Sequence, residues 1–89
     1  MSVDKEESYR SALLDETNRR IIRFCREPRT SGEIVNRITP SQTGQPLYYE
    51  TLVSGSLKQL EKLGMIAFAE GKWKSEKTAI EVLEKYFGE

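Results

Sequence analysis

A single glycine separates two periodicities in this chain. Before Gly64, Val53, Leu57 and Leu60 recur at helical spacing, with Ser56 between them and Leu63 closing the stripe. After it, Met65-Ile-Ala-Phe-Ala69 and Lys72-Trp-Lys-Ser75 alternate with the period of a strand. A change of period across one residue needs a helix that stops at a positive φ, which glycine adopts freely. Glu70-Gly71 between the two strands is a tight turn, so the strands close as a hairpin. Ile66 and Phe68 share one strand face, and Trp73 points inward between the outward Lys72 and Lys74. A helix locked to a hairpin in this way fixes what the other residues must support.

Upstream, Asp4-Lys-Glu-Glu7 opens a short helix, around residues 5–14, that carries Tyr9, Leu13 and Leu14. Asp15 is a second N-cap, with Glu16 favouring the dipole of the helix that follows. In that helix Leu14, Ile21, Phe24 and Cys25 share a face with Ile22 beside them, and Arg19, Arg23 and Arg26 project away. Glu27-Pro28 ends it, because the residue before proline is pushed out of the helical region. Thr30-Ser-Gly-Glu33 is a capping box for a short helix to about Ile38, with Ile34 and Ile38 inward and Val35 flanking them. Residues 39–46 are turn-rich and form an exposed loop. The next helix begins between Pro46 and Glu50, and its outer face carries Thr51, Ser54, Gly55, Lys58, Gln59 and Lys62. Ser75 or Thr78 caps a last helix, about 76–87, whose apolar stripe is Ala79, Val82, Leu83, Tyr86 and Phe87. The fold class expected is therefore mainly α with a small β-hairpin, in one domain spanning residues 1–89 with its core at about 13–76.

Composition narrows the chemistry. Histidine is absent and Cys25 is the one cysteine, so no Ser-His or Cys-His nucleophile and no imidazole base is available. The expectation is a protein that is not an enzyme and carries no metal and no cofactor. Cys25 reads as a small buried apolar group in a reducing compartment. No apolar run approaches a membrane span and no signal-peptide pattern is present, so a cytoplasmic protein is expected. Net charge is zero, yet the charges are segregated: residues 1–18 sum to −3, residues 19–37 to +4, and residues 58–77 to +2. A zero total therefore conceals a basic middle between acidic ends.

In this order the quoted segments resemble those of winged helix-turn-helix transcriptional regulators of the ArsR-like group, archaeal or bacterial. Leu14-Asp-Glu-Thr-Asn-Arg-Arg-Ile-Ile-Arg-Phe-Cys25 is similar to that family's first core helix. Thr30-Ser-Gly-Glu-Ile34 is similar to the opening of its second, and Val53-Ser-Gly-Ser-Leu-Lys-Gln-Leu-Glu-Lys-Leu-Gly-Met-Ile66 to its recognition helix and exit. Gly71-Lys-Trp-Lys-Ser75 resembles its second wing strand. The resemblance implies a three-helix core, a two-stranded wing (65–75) and extra terminal helices. It implies base-reading residues at Tyr49, Glu50, Ser54, Gly55 and Lys58, and wing contacts at Lys72 and Lys74. The metal-sensing ligands of classical members are absent.

On this reading the partner is double-stranded DNA. The helix at about 49–63 occupies the major groove, and Thr51, Ser54, Gly55, Lys58, Gln59 and Lys62 face it. The bland reading is that Lys58 and Lys62 pair on the helix surface with nearby Glu61. Tyr48-Tyr49 can pack the loop on the core, touch a phosphate or sugar, or line a partner surface. The arginines at 19, 20, 23 and 26 read as a solvated face or a surface for an acidic partner. Tyr9, Leu13, Ile80, Leu83, Tyr86 and Phe87 exceed what a three-helix core can hold, which predicts a homodimer through the terminal helices. The rival class is a winged-helix protein-interaction module of a larger, transcription-related assembly, favoured by the zero net charge, Glu50 and the long second loop.

Overall fold

The computed structural model describes residues 3–88, so Met1, Ser2 and Glu89 of the expected 1–89 domain lie outside the description. Among the described residues there are five helices and one two-stranded antiparallel hairpin. In chain order these are α1 (Val3–Ala12), α2 (Glu16–Phe24), α3 (Ser31–Ile38), α4 (Pro46–Lys62), β1 (Ile66–Ala69), β2 (Lys72–Ser75) and α5 (Lys77–Phe87). None of the helices is long and apolar enough to cross a membrane.

The caps that start α2 and α3 form as expected. The Asp15 carboxylate accepts the amides of Thr17 and Asn18 at 2.8 and 3.3 Å. At α3 the Thr30 hydroxyl accepts from the Glu33 amide at 3.2 Å, and Glu33 accepts from the Thr30 amide at 2.8 Å. Gly64 takes φ +80, the left-handed conformation that releases α4 into β1. Glu70 and Gly71 both have positive φ, at 53 and 78, as a type I′ hairpin turn requires. The register pairs Ala69 with Lys72 across that turn and Ile66 with Ser75 at the base.

One core joins all five helices. Ile21, Ile22, Ile34, Ile38, Val53, Leu57 and Leu60 close its centre, and Met65 and Ile66 seal it under the hairpin. The expectation that the terminal helices hold surplus apolar residues is corrected here. Tyr9, Leu13 and Leu83 are completely buried within the one chain, because α1 and α5 pack on each other and on this core. The Tyr9 hydroxyl donates to the Gly64 carbonyl at 3.2 Å, tying α1 to the end of α4. Of the six proposed dimer residues only Ile80, Tyr86 and Phe87 keep accessible surface, and the Tyr86 hydroxyl already donates to Glu6 at 2.8 Å.

Three further expectations change. Leu14 lies past the end of α1 and is 73% exposed, since the extended backbone of the Asp15 cap breaks the helix there and turns Leu14 outward. The second helix ends at Phe24, short of Glu27-Pro28, because Arg29 is drawn into an antiparallel bridge with Trp73. Neither Ser75 nor Thr78 caps α5. Its N-cap is Glu76, without a side-chain cap bond, and Ser75 is committed elsewhere. The Ser75 hydroxyl donates to the Ile22 carbonyl at 2.7 Å and its amide to the Cys25 carbonyl at 2.8 Å, so it closes the end of α2.

Two measurements follow. Ser75→Ala leaves the buried Ile22 carbonyl without this donor, and should cost about 1–3 kcal/mol; urea unfolding should show a lower midpoint at unchanged slope. The second is acid sensitivity. The Thr30 amide chiefly, then the Thr30 hydroxyl and the charges of Arg29 and Lys72, hold the Glu33 carboxyl below its ordinary 4.5. The Tyr86 hydroxyl and Lys85 do the same for Glu6. A lowered folded-state pKa gives stability that is complete above about 4.5 and fades as pH drops through the folded value. The double variant Glu6→Gln/Glu33→Gln should therefore lose less of its urea midpoint than the parent between pH 7 and about 3.

Candidate nucleic-acid interface

Seventeen residues make α4 the longest helix described, about 25 Å from end to end. Its inner side is fixed by Val53, Ser56, Leu57 and Leu60, all buried. A helix advances 100° per residue, so the opposite side carries Leu47, Thr51, Ser54, Gly55, Lys58 and Lys62, every one exposed. Among the described residues, nothing outside the helix's own backbone lies within 4 Å of where a Gly55 side chain would begin, so the strip is open at that point. Lys58 and Lys62 form no hydrogen bond or ion pair with the described residues, Glu61 included. The alternative of a surface pairing with Glu61 is thus not realised.

Two of the expected base-facing residues are placed differently. Tyr49 lies on the inner half of α4, half-buried and packed on the core, while its neighbour Tyr48 is 56% exposed. The two rings meet edge to face with centroids 5.0 Å apart, so Tyr49 supports Tyr48 from below. The resemblance alone puts Tyr49 at a base-reading position; four residues before Val53, it falls on the inner stripe. Gln59 is exposed at the edge of the strip, but its Oε1 accepts from Asn18 Nδ2 at 3.2 Å. Asn18 itself is buried, and also donates to the Ala12 carbonyl at 2.8 Å. Gln59 is therefore partly committed to holding α2 against α4.

The hairpin presents two unlike faces. Ile66 and Ser75 are buried at the base of one, and Phe68 stacks on Trp73 further out, with ring centroids 4.8 Å apart. The Trp73 indole N–H donates to the Ser31 hydroxyl at 3.0 Å, anchoring the hairpin to the start of α3. The alternation puts Ala67, Ala69, Lys72 and Lys74 on the other face. Lys72 and Lys74 line a groove whose far wall is Lys77, Ile80, Glu81 and Glu84 of α5. No residue of α4 lines it. The charge of Lys72 is also felt by Glu33 on α3.

A third basic feature escaped the sequence reading in this form. Arg19 leaves the expected arginine run: it donates to the Leu13 and Leu14 carbonyls at 2.7 and 3.1 Å and lies over the Phe87 ring. Arg20, Arg23 and Arg26 instead gather with Arg29 and Arg37 around Phe24. The signal for α2 was its helical spacing; only the tertiary fold adds Arg29 and Arg37. Cys25, behind this cluster, is fully buried, and burial pushes its thiol up to about 12, so it stays protonated and unreactive.

Gly55 provides a test of the strip. It sits mid-helix at no special φ and touches nothing, so Gly55→Ala should stabilise the fold by roughly 0.5–1 kcal/mol. A higher midpoint in thermal or urea unfolding is the expected reading; a lower one would mean that something covers the position. Compared with family descriptions, with curated proteins and with solved structures, the chain matches none.

Proposed function

We propose that the chain is a winged helix-turn-helix transcriptional regulator of the ArsR-like kind that binds double-stranded DNA through α4. The observation that carries this is the uncovered outer strip of α4, where short polar side chains alternate with two lysines that the fold leaves unpaired. The element order supports it: α2, α3 and α4 followed by a hairpin, with Arg29 bridging the free edge of β2 as a minimal third strand. In the major groove, Thr51 and Ser54 are short enough to reach base edges, and Gly55 lets the helix axis approach closely. Lys58 and Lys62, about one turn apart, meet phosphates. Leu47, 73% exposed at the start of the strip, has the chemistry to pack on a thymine methyl.

Lys72 and Lys74 are secondary on this reading, since they line the α5 groove. The other reading, a winged-helix protein-interaction module, draws support from that placement and from the zero net charge. A homodimer remains part of the proposal only through Ile80, Tyr86 and Phe87.

Duplexes selected from a random pool separate these alternatives. Binding should weaken as salt rises, and Lys58→Ala should lower the salt slope by about one unit and weaken binding to every sequence. Lys72→Ala and Lys74→Ala should have smaller effects. Gly55→Ala, though more stable, should bind duplex less well, because the added methyl holds α4 away from the base edges. Absence of duplex binding at low salt, with Lys58→Ala indistinguishable from the parent, would overturn the proposal in favour of the interaction module.

A further inference from the structure

The arginine cluster belongs to neither the α4 strip nor the α5 groove. It is a concave pocket lined by Arg20, Arg23, Arg26, Arg29 and Arg37 around Phe24, with Glu27 as the only carboxylate in its wall among the described residues. Arg26 reaches Glu84 at 3.8 Å, outside that wall. Five guanidiniums gathered around one ring repel each other, and carboxylates such as Glu27, Glu84 and Glu33 near them offset only part of that charge.

Backbone and ring contacts hold the cluster. Arg29 lies over the Phe24 ring at 4.3 Å from its centroid, and its Nε donates to the Phe24 carbonyl at 3.3 Å. Arg37 lies 5.5 Å from the same centroid. Arg20 donates to the Arg37 carbonyl at 3.1 Å. Each of these contacts orients a guanidinium while using at most one of its five N–H donors. Arg29 spends its Nε, which leaves both terminal nitrogens as a fork of the shape that grips a carboxylate with two parallel bonds.

We infer that this pocket is a docking site for an acidic peptide segment of a protein partner, one that brings two or more neighbouring Asp or Glu side chains to Arg20, Arg29 and Arg37. Concavity and convergence select this ligand. Duplex DNA is a convex cylinder with its phosphates in rows, and guanidiniums that converge in a hollow reach one phosphate at a time. A flexible peptide can fold several carboxylates into the same hollow. No α4 residue lines the pocket, so the site is separate from the proposed DNA surface.

The test is fluorescence anisotropy of the full chain with a dye-labelled peptide of alternating Glu and Gly, and with its Gln counterpart as control. The Glu peptide should bind and the Gln peptide should not. Arg37→Gln and Arg20→Gln should each weaken binding roughly tenfold, as loss of a charge-assisted hydrogen bond does. Arg29→Lys keeps the charge but removes the fork, and should weaken it as well; retained binding there would reduce the site to diffuse charge and overturn the inference. Lys58→Ala should leave peptide binding unchanged, which keeps this result independent of the duplex measurement. Urea midpoints of the variants report whether folding is preserved. The inference fails if no Glu peptide binds at low salt, or if Arg20→Gln/Arg37→Gln binds it like the parent. It also fails if duplex displaces the peptide and Arg37→Gln weakens duplex binding equally, which would make the pocket a nucleic-acid contact.

Discussion

β2 is bonded along both edges, and the rest of the domain is registered on it. One edge pairs with β1 through the hairpin. The other exchanges bonds with Arg29, whose amide donates to the Trp73 carbonyl at 2.9 Å and whose carbonyl accepts from Trp73 at 2.6 Å. Ser75 then takes two carbonyls at the end of α2, and the Glu76 amide donates to Met65 at 2.9 Å. Four residues thus join the exit of α2, the exit of α4 and the entry of α5. Buried backbone groups left unpaired are costly, so the arrangement has little freedom to shift. Because the Met65 amide in turn donates to the Leu60 carbonyl, the exit of α4 is fixed relative to the hairpin. Whatever meets the outer strip of α4 meets a surface set by this seam.

The parts of this fold that repeat with a period could be read from the sequence. The stripe Val53, Leu57, Leu60, the Thr30–Glu33 box, the Asp15 cap and the left-handed Gly64 all depend on neighbours within one or two turns, and each is found. What could not be read depends on distant partners. Ser75 looked like a helix cap because serine usually is one in that context; its actual acceptor is 53 residues away at Ile22. Tyr9, Leu13 and Leu83 looked surplus because a three-helix core was assumed, and the packing of α1 on α5 enlarges that core. Tyr49 lies one turn before Val53 and so on the inner stripe; only the resemblance puts it outside.

Zero net charge proved a poor guide for the same reason. Part of the acid at the chain's ends is spent locally: Glu6 accepts from Lys85 at 3.1 Å and from Tyr86, while Arg10 lies 4.2 Å from the centre of the Tyr86 ring. Of the three acidic residues in α1, Glu6 thus stitches α1 to α5. The basic residues are distributed otherwise, with Lys58 and Lys62 unpaired on α4 and five arginines in the α2–α3 pocket. A sum over the chain cancels charges that the structure keeps apart.

Separation also decides how far the two proposed surfaces can influence each other. The domain is small, with a radius of gyration of 12.7 Å, so both lie on one compact body. At physiological salt, exposed charges are screened beyond roughly 8 Å. An acidic segment seated among the arginines would cancel local charge there, and only charges within that range would feel the change. Mechanical coupling is limited as well, because Ser75 pins the end of α2 and the seam does not slide. On the proposed reading, a duplex would sit on α4 and an acidic partner on α2 and α3 of the same small domain. If both proposals hold, the domain would be an adaptor whose effect on transcription is decided by what the second surface brings to the DNA.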